Sequence, residues 1–156
     1  MHRCRHVRCR LFDVMITGIS QPTILIIDDN INLALGFARA LTNAGFIAHA
    51  AHTAEEGLRL ARVEHPDGII LDIGMPFING LGFLYRLRAL PAHGQTPVMV
   101  VTGASLNEET RIELGELRAV IQYKPLGLEQ LLAETRKLIG ADMPVGQYLP
   151  NTRLPR

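Results

Sequence analysis

Gly68-Ile69-Ile70-Leu71-Asp72 is an apolar run closed by a carboxylate. A run this short with no alternation reads as a strand covered on both faces, the pattern of a parallel sheet. An aspartate at its end is a poor packing residue. It emerges at the sheet edge where open α/β folds keep their chemistry. Three further stretches are built the same way: Ile24-Leu25-Ile26-Ile27 runs into Asp28-Asp29, Val98-Met99-Val100-Val101 into Thr102, and Val120-Ile121-Gln122-Tyr123 into Lys124-Pro125.

Helical patterns separate these strands. From Ile31, apolar residues at Ala34, Phe37, Ala38, Leu41 and Ala44 recur at helical spacing, and Gly45 stands just past them as a C-cap. Phe46 to Ala51 reads as a weaker strand, after which Thr53 and Glu56 have the spacing of a capping box and His65-Pro66 ends the helix they open. After the loop ending at Asn79-Gly80, a third helix carries Leu81, Leu84 and Leu87 on one stripe, with Arg86 and Arg88 on the other side, up to Pro91. Pro97 introduces the fourth strand, where it is tolerated at the entrance. A fourth helix, acidic with Glu108, Glu109, Glu113 and Glu116, is expected from about Asn107 with Ser105 and Glu108 as its capping box. Ala119 to Tyr123 is the fifth strand, and Leu128, Leu131, Leu132, Leu138 and Ile139 give a last helix its apolar face. Five strands alternating with five helices predict an α/β fold, a five-stranded parallel sheet doubly wound with helices on both sides.

A chain of 156 residues, 47% hydrophobic and 20% charged, suits one globular domain with a short extra at each end and no second domain for an output. Arg3, Arg5, Arg8 and Arg10 against Asp13 leave the first fourteen residues at +3. Of 16 basic and 15 acidic residues, 12 and 14 then remain for the rest. That balance gives no electrostatic reason to expect nucleic-acid binding, so no DNA contact is predicted for this chain. Both cysteines, Cys4 and Cys9, lie in the basic arm, which excludes a disulfide framework for the fold and suits the cytoplasm. With His2 and His6 nearby they lack a second ligand pair, and the arm reads as disordered rather than as a metal site. No stretch reaches the ~18 apolar residues of a membrane span, and Asp13 interrupts the only candidate signal core. Residues 1–20 are therefore read as a basic leader, disordered or lying upstream of a true start at Met15, residues 21–140 as the domain, and residues 141–156, with Pro144, Pro150 and Pro155, as a flexible tail. His49 and His52, three apart on a strand, read as ordinary rim positions.

In a parallel sheet all strand C-termini share one edge, so Asp28, Asp29, Asp72, Thr102 and Lys124 are expected to converge there. Three close carboxylates repel one another, and a hard cation with oxygen ligands, Mg²⁺, relieves that repulsion. A carboxylate, a divalent metal, an ammonium and a hydroxyl are the parts needed to receive a phosphoryl group.

From about Gln21 to Gly140 the chain resembles the receiver domain of two-component response regulators, single-domain type. The resemblance rests on Asp28-Asp29, on Asp72 followed by Met75-Pro76 and Asn79-Gly80, on Thr102, and on Lys124-Pro125, in this order. It implies a flavodoxin-like (β/α)5 fold and gives each residue a role. Asp72 would be phosphorylated, with Asp28, Asp29, Asp72 and the backbone carbonyl of Gly74 as protein ligands of Mg²⁺. Thr102 would hydrogen-bond the phosphoryl group and Lys124 pair with it, and Lys124-Pro125 is expected to be cis. The donor would be a sensor histidine kinase, a phosphotransfer protein or a small acyl phosphate. The domain would work without an output domain, as a monomer or a phosphorylation-dependent dimer. It would bind a protein target, away from any membrane, through the fourth helix, fifth strand and fifth helix, and catalyse only its own phosphorylation and dephosphorylation.

The resemblance fails in one region. Family members commonly carry a Gly-Ala pair before the fifth strand and an aromatic three residues ahead of the lysine; here Leu117, Arg118 and Ile121 stand in those places. Tyr123, on the same strand face as Ile121, is a candidate replacement. The alternative function keeps the fold and drops the chemistry, as a binding module indifferent to phosphorylation. An aspartate-nucleophile phosphatase would want a second carboxylate two residues after the nucleophile, and Asp28-Asp29-Asn30 and Asp72-Ile73-Gly74 both lack it. A flavin or nucleotide carrier would want a Gly- or hydroxyl-rich phosphate loop after the first strand, where the acidic pair would repel phosphates.

Overall fold

Strands β1 (Thr23–Ile27), β2 (Ile47–Ala51), β3 (Gly68–Asp72), β4 (Val98–Thr102) and β5 (Ala119–Tyr123) pair in parallel in the order β2-β1-β3-β4-β5. The structure, a computed structural model, describes residues 20–75, 80–103 and 105–140. The predicted leader and tail, together with Pro76 and Asn79, lie outside the described residues, apart from Ser20.

The helices are α1 (Ile31–Asn43), α2 (Ala54–Glu64), α3 (Gly80–Arg88), α4 (Glu108–Glu116) and α5 (Leu128–Leu138), with a 3₁₀ turn at Pro91–His93. Because side chains alternate across a strand, each apolar run feeds two cores. Ile24, Ile26, Ile70, Met99 and Val101 pack with Ala34, Phe37 and Leu41 of α1 and Leu131 of α5. On the opposite face, Leu25, Ile27, Ile69, Leu71, Val98 and Val100 pack with Leu58 of α2, Phe83, Leu84 and Leu87 of α3, and Leu114 of α4. At ~1.5–3 kcal/mol for each large apolar side chain fully buried, this double use of β1, β3 and β4 is the main stabilising term. β2 and β5 close the sheet as edges, and both are more exposed than the central three.

Helix ends follow local chemistry. The Asn30 side chain accepts from Leu33 N and caps α1, and Gly45 beyond its end takes φ 95, the left-handed conformation glycine adopts without a steric penalty. Thr53 caps α2 by accepting from Glu56 N at 3.1 Å, while the Glu56 carboxylate returns to His52 N rather than to the cap residue. Among the described residues, no helix is long and apolar enough to cross a membrane.

Four local expectations are corrected. The second strand starts at Ile47, because Phe46 turns into the α1 core. The α4 cap is Asn107, whose side chain accepts from Thr110 N at 2.8 Å, not Ser105 with Glu108. Leu128 opens α5 facing solvent, and Thr135 takes a buried place on that helix by donating its hydroxyl to Leu131 O. Arg88 does not lie on the solvent side of α3, since its guanidinium reaches inward to backbone carbonyls.

Candidate functional site

All the predicted site residues stand at or just beyond the C-terminal ends of four strands. Asp28 and Asp29 follow β1, Asp72 ends β3, Thr102 ends β4, and Lys124 follows β5. Carboxylate oxygens of Asp28, Asp29 and Asp72 all lie within 4.8 Å of one another. Lys124 Nζ sits 3.5 Å from Asp28 Oδ2 and 3.5 Å from Asp72 Oδ2, between two acids that are 44 residues apart in the chain.

The backbone fixes two of these carboxylates. Asp28 Oδ1 accepts from Asn30 N at 2.9 Å, which orients the acid as the chain turns into α1, and Asp72 Oδ1 accepts from Gly74 N at 3.0 Å. Asp28 is buried, Asp72 nearly so, and Asp29 exposed. Burial pushes the Asp28 carboxyl above its ordinary range; Asp72 adds to that, while the Asn30 N–H and Lys124 oppose it. Three carboxylates against one ammonium leave about two negative charges uncompensated in a partly desolvated cleft. That deficit, presented by hard oxygen donors, suits a hydrated divalent cation such as Mg²⁺. Gly74, the expected source of a carbonyl ligand, lies in the exposed turn after β3.

β4 and β5 hold the other half. Thr102 is buried and directly opposite Tyr123 across the strand pair, and its carbonyl accepts from Lys124 N at 2.8 Å. The Lys124-Pro125 bond is cis, as the resemblance implied. At Gly103 a Cβ would make only ordinary contact, 3.8 Å, with Lys124 Cδ, so this position does not require glycine. Met75 is buried in the core.

The model of the response regulator receiver domain matches residues 24–136. The chain belongs to that family. This receiver is 32% identical to the transcriptional regulatory protein PrrA of Mycobacterium leprae over 80% of its own length and 53% of that protein's, and 30% identical to the response regulator MprA of Mycobacterium ulcerans over 74% and 49%. The chain thus spans about half the length of the curated relatives it matches. Among solved structures it is similar to the chemotaxis protein CheY4 of Vibrio cholerae, with a TM-score of 0.72 and 26% identity, covering 76% of this chain and 99% of that one. A CheY-like receiver domain protein from Methanospirillum hungatei has the same fold, with a TM-score of 0.72 at 24% identity over 78% of this chain and 95% of that one. As a receiver, the protein is a signalling domain of two-component systems, in which phosphorylation is the general currency.

Two features are not legible in the sequence, one beside the site and one at the far end of α3. Gly80 stands in the sequence only as half of the Asn79-Gly80 motif, yet a Cβ there would fall 2.5 Å from Ile73 Cα and 2.7 Å from Asp72 O, so only glycine fits. Arg88 falls four residues after Leu84 and seven after Leu81, on the apolar stripe itself, which is the signal that would have marked it as inward-facing. In β5, Ile121 packs half-buried against the core, whereas Tyr123 is 47% exposed.

Proposed function

We propose that Asp72 accepts a phosphoryl group from a sensor histidine kinase or phosphotransfer protein, and that the modified chain signals by protein contact. The observation that carries this reading is the placement of Lys124 Nζ midway between two buried or nearly buried carboxylates beside a third. An Asp72 oxygen attacks phosphorus, the P–O bond forms as the P–N bond to the donor imidazole breaks, and the imidazole leaves with the bonding pair. Lys124 then pairs with a phosphoryl oxygen, and the Thr102 hydroxyl donates to another. Asp28, Asp29, Asp72 and the Gly74 carbonyl would hold Mg²⁺. When bound, Mg²⁺ neutralises the charge on the phosphoryl oxygens. Asp28 and Asp72 stay oriented throughout by the N–H groups of Asn30 and Gly74.

The working unit in this proposal is a cytoplasmic receiver, monomeric or dimerising on phosphorylation, that meets its target through α4, β5 and α5. Its only catalysis is its own phosphorylation and dephosphorylation. One observation favours the alternative of a phosphorylation-independent binding module: Ile121 fills the place of the expected aromatic, and Tyr123 points outward at the strand end.

The test is incubation of the full chain with Mg²⁺ and acetyl phosphate, and separately with Mg²⁺ and beryllofluoride, beside Asp72→Asn. With acetyl phosphate the expected result is a mass increase of about 80 Da, one phosphoryl group, in the wild type only, abolished by chelation of the metal; with beryllofluoride it is a spectral change in the wild type only. Equal behaviour of the two proteins would move the function to the binding module.

A further inference from the structure

Helix α4 is held down by little apolar contact. Leu114 is its one buried side chain, Leu106 and Leu117 beyond its ends are half-buried against the core, and Ile112 is 55% exposed. Glu108, Glu109, Glu113 and Glu116 crowd the rest of the helix, so nine residues lack the apolar stripe by which a short surface helix normally stays in place.

Beyond its packing beside β5, α4 is held by polar bonds from α3. Arg88 Nε donates to Leu117 O at 2.9 Å and Arg88 Nη2 to Arg118 O at 3.4 Å, closing the end of α4. Through Nη1 the same guanidinium donates to His93 O at 2.9 Å and Thr96 O at 2.7 Å, which ties that end to the segment entering β4. One turn earlier on α3, the Tyr85 hydroxyl donates to the Glu113 carboxylate in the middle of α4. The two attachments are unequal. Arg88 is partly buried and serves several acceptors, whereas the Tyr85 bond is exposed to competing water.

The opposite end of α3 rests on the site. Gly80, its first residue, donates its N–H to Ile73 O at 3.1 Å, and its Cα lies so close to the Asp72–Ile73 backbone that no Cβ fits. Backbone therefore touches backbone, with no flexible side chain between to absorb a displacement. Between its two ends α3 is packed through Phe83, Leu84 and Leu87, and a close-packed helix shifts as a unit.

We propose that α3 is the mechanical link between Asp72 and α4, seated on the strand end through Gly80 and gripping α4 through Arg88 and, more weakly, Tyr85. A change at Asp72 then alters α4 without passing through Ile121. The input of this link rests on the phosphoacceptor reading; the grip on α4 does not.

Hydrogen exchange of the full chain tests both parts. Without ligand, Arg88→Lys is expected to raise exchange across residues 108–118 roughly tenfold and Tyr85→Phe roughly threefold, because one ammonium cannot serve the carbonyls that a guanidinium spans. With Mg²⁺ and beryllofluoride, the wild type is expected to change its α4 exchange, and both variants to lose more than half of that change. Equal ligand-free exchange in all three proteins overturns the grip, and an undiminished beryllofluoride response in both variants overturns the link. A wild type that matches Asp72→Asn under beryllofluoride sinks the phosphoacceptor reading and the link's input, while the ligand-free arm still decides the grip.

Discussion

At the C-terminal edge of the sheet, Asp28 and Asp72 are withdrawn from water against one ammonium that stays 3.5 Å from each. At the N-terminal edge, Arg88 is also partly withdrawn, but main-chain carbonyls at 2.7–2.9 Å saturate its best donors. His93, buried beside it, bonds Thr96 Oγ1 through Nδ1 at 2.9 Å. One edge carries excess charge that a ligand must complete; at the other, the cation is satisfied by the protein's own backbone. A site that must change state needs the first arrangement, and a frame that must not change needs the second.

The largest effect that would sharpen this contrast comes from the point where the two edges are joined by α3. Gly80→Ala drives a methyl into the backbone of Asp72 and Ile73 and is expected to cost roughly 2–3 kcal/mol, read as a lower urea midpoint at constant slope. Unchanged stability would show that the close approach relaxes freely. At the N-terminal edge, Arg88→Ala strands the carbonyls of His93, Thr96 and Leu117 and is expected to cost about 1–2 kcal/mol in the same measurement.

At the acidic edge the sign reverses. Asp28→Asn keeps the acceptor for Asn30 N and removes a buried like charge, so the metal-free protein is expected to melt roughly 2–4 °C higher, the shift that about 1 kcal/mol makes in a chain of this size. Mg²⁺ should raise the wild-type melting temperature and not the variant's. A variant that melts lower would mean that the pair with Lys124 outweighs the repulsion.

The smallest effect is the pH response of His93. Burial lowers its pKa below the ordinary 6.5, with His65 and Arg88 adding to the shift and the Ala61 carbonyl opposing it. The unfolded chain therefore binds the proton first. Stability from this group is full above pH 6.5 and declines as the pH falls through 6.5 toward the folded value. His93→Gln is expected to flatten that slope in melts between pH 7.5 and 5.5, and an unaltered slope would assign the pH dependence elsewhere.

What the sequence disclosed follows the same division. The acidic edge was legible because charge at the end of an apolar strand has few other uses, and parallel topology brings such ends together. The strands were legible because Ile, Val and Leu without alternation must be covered twice. The N-terminal edge was not, because its bonds run from Arg88 to carbonyls, and a carbonyl has the same identity at every position. Asn107 displaced Ser105 as the α4 cap for a related reason: both residue types cap, and only the backbone path selects one. Gly80 is different again, since its role depends on a contact with Ile73 that no spacing rule contains.

The strand pairing has a further consequence. Each strand is five residues long, with Ile27 opposite Leu71, Asp72 opposite Val101 and Thr102 opposite Tyr123. A slip of one residue between neighbours would move a side chain ~3.3 Å along the sheet and turn it to the other face. Such a slip would separate Lys124 from both carboxylates while leaving much of the apolar count intact, since nearly every strand residue is apolar on either face. The acidic cluster thus supplies register information that these two-sided strands lack. Binding a divalent cation would favour the one alignment of β1 against β3 that brings Asp28, Asp29 and Asp72 together.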